Sequence, residues 1–224
     1  MKIQCNGSML EWEPTRLIIA GYTGKDQKVV QQHIDELKEL GIPAPPRVPM
    51  IYDLSPQLMQ VTDAITVVQN HSSGEAEAVL LDINGEWYVG LGSDHTDRVL
   101  EASSIQKSKQ VCLKPISQQV WPLDAIRAYW DEIEMESWII DSGVQHLYQR
   151  GTLGSFLDPD ELFRILRERD YVSEGMAVFC GTLPLHSGTF QFGETFLATL
   201  RDPRTGSTIQ LTYHIKQLKD AEEV

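Results

Sequence analysis

Residues 75–91, Glu-Ala-Glu-Ala-Val-Leu-Leu-Asp-Ile-Asn-Gly-Glu-Trp-Tyr-Val-Gly-Leu, constrain the fold of this chain more than any other stretch. Asn84-Gly85 is the strongest short hairpin signal, because both positions of a type I′ turn need positive φ. It predicts a strand over 75–83 paired with one over 86–91. Strand side chains alternate faces, so Glu75, Glu77, Val79 and Leu81 share one side. Carboxylates in line with Val and Leu are expensive to bury unless a positive charge sits beside them. A Lys or Arg supplies one, and so does a divalent cation. Asp94 lies just beyond the second strand and is placed to swing back towards Glu75 and Glu77. Three oxygen donors suit Mg2+, Mn2+ or Ca2+ better than zinc. Taken alone, a Glu-x-Glu strand is more often the wet face of a half-exposed sheet, and both readings stand at this point.

The remaining pattern is rich in strands. Leu17–Thr23 reads as a short apolar strand, followed by an amphipathic helix over Lys25–Leu40 that Gly41 stops. Pro43, Pro45, Pro46 and Pro49 form a rigid extended loop into a strand at Val48–Tyr52. Thr96–Ile105 is predicted as a short helix, Ile133–Asp141 as a strand and Asp160–Arg169 as a helix. Met176–Cys180, Thr189–Arg201 and Thr208–Leu218 are predicted as the closing strands. Strands dominate and helices are short, which favours one β-rich α+β domain spanning 1–224.

Charge and composition exclude several classes. With a net charge of −13, nucleic acid and anionic membrane are poor partners. Cys5, Cys112 and Cys180 are too few and too scattered for a disulfide framework or a Cys-x-x-Cys metal site, which points to a reducing cytoplasm. No secretory signal is read at Met1–Ser8, and no run reaches the roughly 18 apolar residues of a membrane span.

Other residues carry candidate chemistry. His33 and Glu36 lie three apart on the predicted helix, so the carboxylate is able to hold one imidazole nitrogen and leave the other as a base. The competing reading is a surface His beside an incidental Glu. Asp94 and Arg98 are spaced for an ion pair, or for a helix N-terminus that favours Asp. Lys107 and Lys109 are solvated lysines, or one of them is buried and stabilises an enolate oxygen. Gly175–Thr182 reads as a turn and a buried strand, with Thr182 offering a hydroxyl and an N–H at its end.

These pieces, in this order, resemble the C-terminal catalytic domain of the fumarylacetoacetate hydrolase superfamily. His-Ile-Asp-Glu (33–36) with Val48-Pro49-Met50-Ile51-Tyr52 is similar to its His-x-x-Glu helix and following strand. Gly-Glu-Ala-Glu-Ala-Val-Leu-Leu (74–81) is similar to its metal strand. Gly-Ser-Asp-His-Thr-Asp-Arg (92–98) resembles its Asn-Asp-x-Thr-x-Arg segment, Ser-Lys-Gln (108–110) falls at its lysine, and Glu-Gly-Met-Ala-Val-Phe-Cys-Gly-Thr (174–182) resembles its Gly-Asp-x-Ile-x-Thr-Gly-Thr-Pro strand. Ser93, Met176 and Leu183 depart from that pattern and mark a divergent branch.

The resemblance implies a mixed β-sandwich roll with a few short helices, usually a homodimer. It implies Glu75, Glu77 and Asp94 as ligands of Mg2+ or Mn2+, with Ca2+ able to stand in within crystals. His33 with Glu36, and Lys109, would be catalytic; Arg98, Gly181 and Thr182 would bind substrate. The implied activity is cleavage of a C–C bond by water in a 2-oxo acid or 1,3-dicarbonyl compound of the acylpyruvate type, through a metal-chelated enolate. Decarboxylase, hydratase and tautomerase chemistry on a related 2-oxo acid passes through the same enolate. A non-catalytic binding domain that keeps the fold is the contrasting class.

Overall fold

The Asn-Gly hairpin forms where the turn requires it. Asn84 and Gly85 both take positive φ, at 56° and 85°, and the strands pair from Ala76↔Ser93 to Ile83↔Glu86. The computed structural model describes residues 1–26, 28, 30, 31, 34, 35 and 44–222. In chain order the strands are β1 (Lys2–Cys5), β2 (Ser8–Glu11), β3 (Arg16–Gly21), β4 (Met50–Leu54), β5 (Met59–Gln60), β6 (Ala64–Val68), β7 (Ser72–Ser73), β8 (Ala76–Ile83), β9 (Glu86–Ser93), β10 (Thr96–Asp97), β11 (Lys114–Pro115), β12 (Gln119–Pro122), β13 (Glu134–Asp141), β14 (Val144–Thr152), β15 (Met176–Thr182), β16 (Thr195–Arg201) and β17 (Thr208–Leu218).

An eight-stranded sheet runs β2-β1-β12-β9-β8-β15-β3-β4, and a five-stranded sheet runs β14-β13-β16-β17-β6. The hairpin occupies the middle of the larger sheet, with β15 antiparallel to β8 and parallel to β3. Every residue of β8 is buried, so both faces of this sheet are covered. On one face Ile18, Ala78, Leu80, Leu91 and Val178 meet Met135, Phe196, Ala198, Leu211 and Tyr213 of the smaller sheet. On the other, Leu17, Ile19, Val79, Leu81 and Phe179 pack with Ile3, Tyr52, Ile116 and Val120. Glu77 shares the second face with Val79 and Leu81, as strand alternation requires. Gly92 is glycine because a Cβ there would lie 2.5 Å from the Phe179 ring and 2.6 Å from Val79.

Helix Pro159–Glu168 begins at Asp158, whose side chain accepts the Glu161 N–H at 3.0 Å, and it buries Leu162, Phe163 and Leu166. Two expectations are corrected. The helix predicted over Thr96–Ile105 is instead β10, a helix Arg98–Glu101 and a second helix Ile105–Gln110. The break arises because Asp97 caps the first helix by accepting from Val99 and Leu100, and Ser104 caps the second. The strand predicted over Thr189–Arg201 starts only at Thr195; Phe190 leaves the sheet to stack on the Arg98 guanidinium at 3.9 Å. Of the helix predicted over Lys25–Leu40, residues 28, 30, 31, 34 and 35 are helical, and the rest, apart from 25 and 26, lie outside the described residues. Among the described residues no helix is long and apolar enough to cross a membrane.

Candidate active site

Pairing of β8 with β9 places the three carboxylates. The Asp94 N–H donates to the Glu75 carbonyl at 2.9 Å, which sets the two residues opposite each other just past the ladder. Glu77 follows two residues along β8. Asp94 is 1% exposed and Glu77 2%, so the wet-face reading of the Glu-x-Glu strand does not hold for Glu77.

Asp94 is held by two lysines. Lys109, on helix Ile105–Gln110, donates to its Oδ2 at 2.5 Å, and Lys114, on β11, lies 3.3 Å from its Oδ1. Lys114 also donates to the main-chain carbonyls of Lys109 and His95. Burial works to raise the Asp94 pKa, yet the two lysines outweigh it and hold the carboxyl down at about 2. Burial works to lower the Lys109 pKa, and Asp94, Glu75 and Glu101 outweigh it, so Lys109 is raised. Lys114 is lowered, because burial outweighs Asp94 there. Lys107 is exposed; of the two lysines weighed from sequence, Lys109 reaches the carboxylates.

Glu75 pairs with Arg98 at 3.0 Å. Arg98 also donates to the Ser73 hydroxyl at 2.7 Å and to Glu101 at 2.9 Å, so it orients carboxylates rather than standing open. Glu77 has a different environment. Its Oε2 accepts the Gly181 N–H at 2.7 Å, and among the described residues no cation lies at ion-pair distance. Burial first, then the charge of Asp94, push its pKa well above the ordinary carboxylate range.

The Gly181–Thr182 strand end lies beside Glu77. The β8–β15 ladder shifts register between Phe179 and Thr182, and Gly181 takes φ +108°, which turns its N–H out of the ladder and onto Glu77. The Thr182 hydroxyl donates to the Ala76 carbonyl at 3.2 Å and accepts from Gln149 Nε2 at 2.6 Å. Behind the carboxylates, His95 links Tyr213 through Nδ1 and Ser72 through Nε2, both at 2.9 Å. Its pKa is lowered to about 3 by burial, then by Lys114 and Arg98.

The structure thus brings together Glu75, Glu77, Asp94, Arg98, Lys109, Gly181 and Thr182. His33 and Glu36 lie outside the described residues. Reading the sequence missed Lys114, Gln149, Glu101 and Tyr52, whose ring centroid is 5.8 Å from Lys109 Nζ. Glu101 is local, three residues from Arg98 on one short helix, whereas strand pairing brings in Lys114 and Gln149 and tertiary packing sets Tyr52 near Lys109.

Among the described residues no three His, Cys, Asp or Glu side chains are grouped closely enough to hold a metal ion as they stand. The donor set nevertheless fits a hard divalent cation. Glu75, Glu77, Asp94 and Glu101 outnumber Arg98, Lys109 and Lys114, and among the described residues buried Glu77 is the carboxyl group with no cation at ion-pair distance.

Residues 20–213 match the model of a family described as "Protein of unknown function (DUF2848)". A search of curated proteins found no match. Solved structures share the fold. A crystal form of 2-keto-3-deoxyarabinonate dehydratase superposes with a TM-score of 0.67 at 15% identity, over 93% of this chain and 76% of that one. The 2-keto-3-deoxy-D-arabinonate dehydratase complexed with magnesium and 2,5-dioxopentanoate gives 0.65 at 16%, over 92% and 74%. The 4-oxalocrotonate decarboxylase from Pseudomonas putida G7, complexed with calcium and acetate, gives 0.55 at 13%, over 90% and 76%. The β-rich fumarylacetoacetate-hydrolase-like fold expected from the motifs is the fold found.

Proposed function

The chain belongs to the DUF2848 family, and from its site we propose that it is a divalent-metal-dependent enzyme acting on a small 2-oxo acid or 1,3-dicarbonyl compound. The observation that carries this is buried Glu77, without a cation at ion-pair distance among the described residues, on the same hairpin as Glu75 and as Asp94, which Lys109 holds. In this proposal Glu75, Glu77 and Asp94 hold Mg2+ or Mn2+. When bound, the cation supplies Lewis-acid polarisation of the 2-oxo carbonyl.

The residues of the chain do the rest. Lys109 is assigned to the negative charge that would develop as the substrate becomes an enolate, where a well-placed donor is worth roughly 3–4 kcal/mol. Lys114 keeps Asp94 ionised. Tyr52 screens Lys109 from water on one side. The Gly181–Thr182 strand end is assigned to the substrate carboxylate, and Arg98, already paired with Glu75 and Glu101, to orienting those carboxylates and adding positive charge beside the site. His33, with Glu36, is assigned to proton transfer and to activation of water, which makes hydrolysis of a C–C bond the first reading. A second reading, decarboxylation or dehydration, draws support from the fold neighbours named as a dehydratase and a decarboxylase. In solution a homodimer is proposed.

The test has two arms. Mg2+ or Mn2+ at about 100 times its Kd stabilises a binding protein by about 2.7 kcal/mol. Wild type is expected to show that gain in chemical denaturation, and Glu77→Gln to lose it. A panel of 2-oxo acids, followed for pyruvate and for CO2, separates hydrolase from decarboxylase. Absence of any metal-linked gain in wild type would return the chain to the class of binding domains.

A further inference from the structure

Asp94 is held by two lysines that are themselves held very differently. Lys114 has no exposed surface. Its ammonium reaches Asp94 Oδ1 and also donates to the carbonyls of His95 and, at 2.6 Å, Lys109. Three contacts to buried, structured partners leave it nowhere to go. Among the described residues Lys109 Nζ makes one hydrogen bond, to Asp94 Oδ2 at 2.5 Å, and it lies 5.8 Å from the centroid of the Tyr52 ring. An ammonium on a flexible four-carbon stem, anchored through one hydrogen bond, swings away by giving up that one pair. Meanwhile, among the described residues, the carboxylates are not grouped as a ligand set, and Asp94 Oδ2 is the oxygen that Lys109 occupies.

We infer that Lys109 is a resident counter-ion at the divalent-cation position: it pairs with Asp94 in the metal-free protein and releases Oδ2 when the cation binds. Lys114 stays on Oδ1 throughout. The inference rests on the metal-dependent reading above. Electrostatics favours the exchange. The ammonium and a divalent cation are both positive and compete for the same Asp94 oxygen, and repulsion between ion and ammonium drives the lysine outward. The outgoing ammonium is then free to face an anionic substrate. The exchange makes the lysine and the metal competitors. Deleting the lysine should therefore tighten metal binding, although lysine is no ligand. A lysine that merely braces the fold would do the reverse.

The experiment measures Mn2+ affinity by calorimetry for wild type, Lys109→Met and Lys107→Met, the last an exposed neighbour on the same helix. Lys109→Met is expected to bind at least tenfold more tightly than wild type, and Lys107→Met equally. Equal or weaker binding by a folded Lys109→Met overturns the inference and leaves the metal reading intact. Absence of Mn2+ binding by wild type overturns both. A second measurement needs no variant. Brief acetic anhydride labelling of wild type, read by mass spectrometry, is expected to modify Lys109 several-fold more with Mn2+ than without, relative to Lys107. Unchanged or reduced labelling of Lys109 overturns the exchange.

Discussion

A methyl group added at Gly181 would lie 2.0 Å from Thr23 Oγ1, which itself donates to the Cys180 carbonyl at 2.7 Å. The same glycine holds φ +108° and presents its N–H to Glu77. Strain at positive φ and overpacking each cost about 1–3 kcal/mol. Gly181→Ala is expected to lose about 2–4 kcal/mol in urea denaturation and to weaken metal binding, because the N–H that holds Glu77 shifts. His95 gives a pH-dependent counterpart. Its folded pKa, about 3, lies below the ordinary 6.5. Between those values the unfolded chain binds the extra proton. The stability that the neutral ring confers is therefore complete above pH 6.5 and falls as pH drops towards 3, by at most about 1.4 kcal/mol per unit. From pH 7 to pH 5, wild type should lose about 2 kcal/mol more than His95→Gln, in urea melts at both pH values. An equal loss would mean that His95 is not the group responsible.

At the scale of elements, Gln149 on β14 joins the two sheets. Fully buried, it accepts the Ala76 N–H of β8 at 2.9 Å and the Ser137 hydroxyl of β13 at 2.8 Å, and donates to Thr182 and to the Leu183 carbonyl. Gln149→Leu keeps the volume and leaves those partners unsatisfied, so about 2–4 kcal/mol should be lost at the denaturation midpoint. Hydrogen exchange at Ala76 should rise with it. Nothing in Val-Gln-His-Leu-Tyr-Gln-Arg-Gly-Thr announces this strand. β14 is an edge strand with an exposed N-terminal half, so its polar residues hide the period-2 signal that makes β17 readable. β17 alternates buried Ile209, Leu211, Tyr213 and Ile215 with exposed residues, and the hairpin carries its own turn. The site divides along the same line. Glu75, Glu77 and Asp94 were legible because strand alternation and one turn place them. Lys114 and Gln149 arrive through pairing with β5 and β13, which no window of sequence contains.

The whole molecule carries a net charge of −13, and the proposed substrate is an anion. At about 0.01 M ionic strength the Debye length is about 30 Å, comparable to a domain, and at 0.15 M it is about 8 Å. In dilute buffer an approaching 2-oxo acid therefore senses the repulsion of the entire surface. At higher salt it senses the site alone, where a bound cation, Arg98 and Lys109 attract it. With metal held saturating, so that loss of cation capture does not mask the effect, kcat/KM should rise about two- to fivefold across that range while kcat stays constant. The split follows from what salt is able to reach: encounter occurs in solvent, whereas the Asp94 and Lys114 charges are enclosed by protein and are screened little. A fall in kcat/KM with salt would show that local attraction at the mouth of the site outweighs the global field. A parallel change in kcat would show that ions enter the site and disturb the buried pairs themselves. Steady-state rates at five or six ionic strengths, in a salt of weakly binding ions, decide among the three.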